Sequence, residues 1–286
     1  MDFLSLLQYS APVALAAMGE VITQRGGIIN IGLEGTMLVA SFFAMLACFA
    51  THSPWIGLSA GVAGAVVTTL IFGVFTIYLA ADQVVVGTAI NLLALGVTGT
   101  MFRSQFGQSG QLLSVPRIGA VHGIDPLMIF MILSAPLLWF VLRKTAWGLA
   151  VRACGEFPKA VAASGFSVHR IRLQSLMVGA FYAGLAGSYL SLVIAGSFAE
   201  NMTAGRGFVA IAMVTFGRWR PQFAFLAALL IGYAESLQYK FQTYGWKVPY
   251  QLMIALPYVV ALIVLVIVGK GAASPGALAQ PYRKEK

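Results

Sequence analysis

The stretch Gly57-Leu58-Ser59-Ala60-Gly61-Val62-Ala63-Gly64-Ala65 carries no charge and lies inside an apolar run from 55 to 79. A run of that length exceeds the roughly 20 apolar residues needed to cross a bilayer as a helix. Small residues four apart share one helix face, and they let backbones pack closely in lipid, where no hydrophobic force draws helices together. Gly179-Ala180-Phe181-Tyr182-Ala183-Gly184-Leu185-Ala186-Gly187 has the same texture. Working outward, further apolar runs cover 4–22, 35–51, 83–102, 126–142, 173–195, 206–217, 221–239 and 250–269. The run 206–217 would extend only about 18 Å as a helix, so it is expected half-buried among neighbours rather than exposed to lipid.

Composition agrees. The 286 residues are 59% hydrophobic and only 9% charged, with a mean hydropathy of +0.85. Soluble domains carry about a quarter charged residues to face water. The outer surface must therefore face lipid, which excludes a soluble enzyme, a disordered chain and a nucleic-acid binder with basic charge spread over one face. The reading is an all-α, polytopic transmembrane bundle of about eight to nine membrane segments over residues 1–270. Residues 271–286 are expected to form a cytoplasmic tail. Met1–Glu20 has no basic leading region and carries Asp2, so it reads as a retained first segment rather than a cleaved signal. Cys48 lies in an apolar run and Cys154 in a charged loop, so no disulfide is expected between them.

The net charge of +9 is a topology signal. With the C-terminus cytoplasmic and each segment crossing, most of the 18 basic residues fall inside, among them Arg25, Arg143, Lys144, Arg152, Lys159, Arg170, Arg172, Arg218 and Arg220. Only Arg103, Arg117, Arg206, Lys240 and Lys247 fall outside. The positive-inside rule then predicts an outside N-terminus and an inside C-terminus. The longest inner connection, 143–172, holds a short helix signal: Pro158 suits a first helical position and Gly165 a C-terminal cap. Such a helix either docks onto a partner or lies on the headgroups.

The chain has no G-x-x-x-x-G-K-[ST], no H-E-x-x-H, no G-x-S-x-G and no clustered Cys/His set, so neither a P-loop, a metal site nor a catalytic constellation is expected. Polar residues in apolar surroundings remain, and these are functional candidates by default. In Thr23-Gln24-Arg25-Gly26-Gly27-Ile28-Ile29-Asn30-Ile31-Gly32-Leu33-Glu34-Gly35, the glycines predict irregular backbone, tolerated at membrane depth only when enclosed by protein. Asn30 and Glu34, four apart, either line a pore or gate or belong to a capped turn. In Asp82-Gln83-Val84-Val85-Val86-Gly87-Thr88-Ala89-Ile90-Asn91, Asp82 or Gln83 opens a helix. Thr88 and Asn91, three apart, either face a polar pathway together or bond to other helices. Glu235 is expected at the interface.

Together these stretches resemble a known family. Asn30-Ile31-Gly32-Leu33-Glu34-Gly35-Thr36-Met37 is similar to the N-I-G-x-E-G-x-M motif of ABC-importer permeases for branched-chain amino acids, simple sugars and nucleosides. Val151-Arg152-Ala153-Cys154-Gly155-Glu156-Phe157-Pro158-Lys159-Ala160 resembles that family's coupling loop, although Cys154 and Phe157 depart from its usual residues. Gly207–Ala212 and Phe216–Pro221 resemble its later segments, and Asp82–Asn91 its nucleoside branch. The resemblance implies a permease subunit of an ATP-driven importer in a prokaryotic cytoplasmic membrane, without an ATPase site or cofactor of its own. Its implied partners are a second, different permease, two ATP-binding cassette subunits and an extracytoplasmic binding protein. Glu156, Pro158, Lys159, Val161 and Gly165 would couple to the ATPase; Asn30, Glu34, Gln83, Thr88 and Asn91 are the pathway candidates. The alternatives are the same machine carrying a sugar or branched-chain amino acid, and an ion-coupled carrier using Glu20, Glu34 or Glu235.

Overall fold

The computed structural model describes residues 3–107, 114–121, 123–243 and 273–282, with isolated positions between 255 and 266. Most of the run 250–269, and Lys247, lie outside what is described. Among the described residues the chain is helical, apart from one isolated bridge between Val121 and Ile124. The helices are α1 (Phe3–Arg25), α2 (Leu33–Thr51), α3 (Pro54–Gly73), α4 (Gln83–Phe106), α5 (Pro126–Lys144), α6 (Ala146–Glu156), α7 (Pro158–Ala163), α8 (Val168–Tyr189), α9 (Arg206–Phe216) and α10 (Pro221–Thr243). Single π-helical stretches extend α3 over Val74–Tyr78 and α8 over Leu190–Ala195. Among the described residues six helices are long and apolar enough to cross a membrane; α9 and the apolar part of α10 are shorter.

Helix starts follow local chemistry. The Asp82 carboxylate accepts from the Val84 and Val85 amides at 2.8 and 3.0 Å and opens α4, and Asp125 accepts from Met128 at 2.8 Å to open α5. Thr145 caps α6 through the Gly148 amide at 3.0 Å. Each satisfies an amide that the first helical turn leaves without a partner.

The core is α1, wrapped by α5, α8, α9 and α10, with α2 packed on α8. The small-residue faces meet as their spacing predicts. Carbons added at Gly57 and Gly61 of α3 would lie 2.6 and 2.8 Å from the Ala44 and Ala40 carbonyls of α2, and one at Gly184 of α8 would lie 2.6 Å from Val62. The Ser41 hydroxyl donates across α2–α8 to the Gly187 carbonyl at 2.7 Å. In contrast α3 and α5 present Leu70, Ile71, Leu133 and Leu137 outward, as lipid-facing helices do, and α4 also leaves an exposed face, with Leu92 and Leu93.

One expectation is corrected here. Cys154 is not in a loop but on the buried side of α6, a helix that the sequence reading did not place; Gly148, Val151 and Cys154, three apart, form its inner face. Both cysteines are buried and free. The described part of the C-terminal stretch, 273–282, packs against the helical body. Ala277 donates to the Gly155 carbonyl at 2.8 Å, Ala279 to Gly27 at 3.2 Å, and the Arg172 guanidinium to Gln280 at 2.9 Å.

Candidate functional site

The motif residues lie between α1 and α2, and α4 is the ruler that places them. The Gln83 side-chain oxygen accepts from the Ile29 amide at 2.8 Å. Eight residues further along α4, about 12 Å deeper by helical rise, Asn91 grips the chain twice. Its oxygen accepts from the Gly35 amide at 2.8 Å and its nitrogen donates to the Ile31 carbonyl at 2.9 Å. Residues 29–35 therefore climb along α4, and α2 begins well inside the bundle rather than at its edge. The other end of α2 reaches the far end of α4, where the Phe49 and Phe106 rings meet at 5.4 Å. Gly27 turns with φ of +88°, a conformation that favours glycine. Gly87 lets the strand-like segment lie against α4: a Cβ there would sit 2.6 Å from that of Ile31 and 2.7 Å from the Gly32 amide.

A second helix also begins inside. After α8 the chain returns as an irregular stretch, 196–205, followed by the half-length α9, and Glu34 ties the two interior helix starts together. Its carboxylate accepts from the Gly205 amide at 2.8 Å and the Gly207 amide at 2.7 Å, at the positive end of α9. So 206–217 does not run the length of the bundle alone; 196–205 and α9 together form the return path, enclosed by protein as such backbone must be at membrane depth. Nearer the α7 end, the Glu20 oxygen accepts from Gln24 and from the Asn30 amide, both at 3.0 Å, while Gln24 accepts from the Trp219 indole at 2.7 Å. Asn30, Glu34, Gln83 and Asn91 are thus brought together around the 29–35 backbone. Thr88 is not: it is exposed and bonds to the Val84 carbonyl of its own helix at 2.8 Å.

Glu235, expected at the interface, is instead mostly buried and pairs with Arg206 at 3.6 Å, so α10 also braces the start of α9. Asp125, which opens α5, also accepts from the buried Tyr189 hydroxyl at 2.7 Å. The sequence reading passed over it because it precedes an apolar run rather than interrupting one. Among the described residues no group of three metal-ligating side chains occurs.

At the other functional candidate, α7 stands at the bundle end that carries Arg143, Lys144 and Arg152. Pro158 opens it, and Gly165 follows with φ of +84°. Val161 is buried beneath it, facing an open, largely apolar cavity of about 690 Å³ between α6, α7 and the start of α8. Glu156 is turned into the chain, where it accepts from the Gly276 amide at 3.0 Å and lies 4.0 Å from Arg25. Lys159 and Gly165 are exposed. The most prominent groups there are Phe157 and Phe166, 74% and 62% exposed at either end of α7. Neither was among the candidates; two phenylalanines bracketing a short helix in a polar loop were the available signal. Burial beside α6 pushes the Cys154 thiol above its ordinary value of 9.0 to about 11, against the opposing pull of Arg172.

A lipid-facing helical body, two helices that start inside it, and a small helix held out at one end define a membrane-embedded transport protein. The chain belongs to the family described as the branched-chain amino acid transport system permease component, whose model matches residues 3–269. It is 33% identical to the guanosine ABC transporter permease protein NupQ of Bacillus subtilis, across 98% of this chain and 95% of that one. It is 31% identical to the nucleoside ABC transporter permease protein NupC of Lactococcus lactis, across 99% and 96%. A second Bacillus subtilis permease, the guanosine ABC transporter permease protein NupP, is 27% identical across 77% of this chain and 69% of its own length. In fold the chain is similar to an inward-facing ABC transporter assigned to the metal-chelate type, with a TM-score of 0.57 at 13% identity over 93% and 86% of the two chains. It is a permease component of an ABC transporter.

Proposed function

We propose that this chain forms one membrane-spanning half of an ATP-driven importer whose cargo is a nucleoside or a related ribose-containing solute. What carries the cargo reading is the match, over nearly the full length of both chains, to permeases named for guanosine and nucleosides. The additional match to a second guanosine permease of the same bacterium supports a pair of unlike permeases. On this reading the α7 end is cytoplasmic, because Arg143, Lys144, Arg152, Lys159 and Arg170 gather there, and the N-terminus is outside. The membrane is the cytoplasmic membrane of a prokaryote. Two ATP-binding cassette subunits, rather than this chain, hydrolyse ATP, and an extracytoplasmic binding protein delivers the solute.

Phe157 and Phe166 seat α7 in the ATPase subunit, with Pro158, Lys159 and Gly165 shaping the helix between them. Val161 and Glu156 fix α7 and the end of α6 to the bundle. Coupling follows only if the docked helix prefers one ATPase state, since equal affinity for both would shift nothing. Glu34, Gln83 and Asn91 act as positioning residues: they hold the interior starts of α2 and α9 whose rearrangement opens and closes the pathway, while Asn30, whose buried side-chain oxygen has no hydrogen-bond partner among the described residues, stays a pathway candidate. Thr88, on the outward face of α4, is the other candidate and touches the pathway between the two permeases. The test is uptake of labelled guanosine into vesicles holding the assembled complex. ATP-dependent accumulation is expected. Accumulation driven by an ion gradient with no ATPase subunit present would overturn the mechanism; ATP-dependent uptake of a sugar but not guanosine would overturn the cargo.

A further inference from the structure

Four guanidinium groups surround one small cavity at the end of the bundle that carries α7. Arg25 ends α1, Arg143 lies in the last turn of α5, Arg152 belongs to α6, and Arg220 immediately precedes α10; Trp139 and Trp219 complete the walls of a space of about 120 Å³. Arg25 is repelled by the other three and attracted by Glu156, which is 4.0 Å away and also accepts from the Gly276 amide. Among the described residues, one shared carboxylate thus stands against four cations. The Arg25 Nε donates to the Trp219 carbonyl at 2.8 Å, which fixes that group in place. The Arg152 Nε is buried with no hydrogen-bond partner among the described residues. Arg143 lies over the Trp139 ring at 5.9 Å and Arg220 over the Phe223 ring at 5.8 Å, so each guanidinium has an aromatic neighbour rather than a carboxylate.

The cavity is too small for an organic solute, whose sites run to about 300 Å³ or more. It fits a compact oxyanion that several planar guanidinium forks can grip. The surroundings say where such an anion comes from. Two exposed apolar surfaces adjoin its arginines in sequence: α5 exposes Leu133, Leu137 and Phe140 on its way to Arg143, and α10 exposes Phe223 and Leu226 just past Arg220. Trp139, one helical turn before Arg143 at the end of α5, is the residue type that marks the headgroup region at the ends of membrane helices. We propose that this pocket binds a phosphate oxyanion, delivered by the headgroup of an anionic phospholipid whose chains lie along α5 and α10. Basic pockets at the ends of membrane helices recognise lipid headgroups in this way. The bound phosphate would neutralise the cluster and bind the ends of α1, α5 and α6 to the turn before α10.

The test is native mass spectrometry of the purified full chain, released from nanodiscs of equal phosphatidylglycerol and phosphatidylcholine. Wild type is expected to retain phosphatidylglycerol preferentially. The double variant Arg143→Gln/Arg220→Gln removes two exposed charges without touching the core, and size-exclusion chromatography verifies its fold. It should lose about thirtyfold in phosphatidylglycerol retention, at about fivefold per basic group near a membrane surface. Lys144→Gln removes a neighbouring charge that does not line the cavity and should change nothing. Equal retention of the two lipids by wild type, unchanged retention in the double variant, or an equal loss in Lys144→Gln would each overturn the proposal. Millimolar inorganic phosphate should displace the lipid. Thermal stabilisation by phosphate alone, with no lipid retained, would overturn the headgroup as its source. Loss of ATPase co-purification in the double variant at unchanged lipid retention would assign the arginines to that partner instead.

Discussion

Replacing Glu34 by glutamine tests whether the interior start of α9 depends on one carboxylate from α2. The substitution preserves size and exchanges one acceptor oxygen for an amide group that donates. In the native chain both oxygens accept from backbone, Gly205 at 2.8 Å and Gly207 at 2.7 Å, and Glu34 is only 8% exposed. Glutamine therefore leaves one buried amide facing a donor, at about 1–3 kcal/mol. It also removes the anion from the positive end of α9, which contributes up to about 2 kcal/mol in partly buried geometry. Together these give about 3 kcal/mol, or about a hundredfold in a local opening equilibrium. The effect should be local, because α10 still braces Arg206 through Glu235. Hydrogen exchange of the purified chain in nanodiscs, followed in peptides covering 203–210, should speed up by about that factor, whereas peptides from α5 should not change. Glu34→Asp should fall in between, since a side chain one carbon shorter cannot reach both amides. Exchange in Glu34→Gln within twofold of wild type would refute the idea that the carboxylate holds the two helix starts together.

Asn91→Leu should lower thermal stability by about 3 kcal/mol, read as a fall in melting temperature, because it strands the Gly35 amide and the Ile31 carbonyl in the interior; a variant that melts with wild type would show that the segment holds itself. Phe157→Glu and Phe166→Glu should leave melting within about 0.5 kcal/mol of wild type, as exposed substitutions do, yet abolish co-purification with the ATPase subunit; retained co-purification removes them from the docking surface. The Cys154 thiol, raised by burial to about 11, is neutral at pH 8, with about a hundredfold less thiolate than at its ordinary value of 9.0. Maleimide labelling of the folded chain should therefore be slow and rise about tenfold per pH unit through pH 10. The fold holds this proton more tightly than the unfolded chain does, so the associated stability is complete below pH 9 and is lost as pH rises towards about 11. Labelling that levels off near pH 9 would contradict the burial.

What could be read from residues alone was whatever periodicity and charge encode. Apolar length placed α1 to α5, α8 and α10 within a few residues, because a bilayer demands spans of a set length. The four-residue repeat of Gly57, Gly61 and Ala65 marked a close helix contact, and Asp82, Pro158 and Gly165 marked element ends through capping chemistry. The same rules found 206–217 too short to cross alone. They could not give its depth, which depends on a return path through 196–205 that has no apolar signature. They missed α6 because its inner face, Gly148, Val151 and Cys154, is too short and too weakly apolar to stand out.

The chief thing settled only by the tertiary structure is the direction in which the polar residues point. Asn30 and Glu34 could be read as pore lining or as part of a capped turn, and Asn91 as pathway lining or an interhelical bond. A buried amide or carbonyl without water must find a partner, and in this chain the starts of α2 and α9 supply many such groups at once. The side chains nearest in space, though up to 173 positions away in sequence, are drawn to them. Which backbone groups lack a partner depends on where helices begin inside the bundle, and that is a property of the packed helices rather than of any local stretch of sequence.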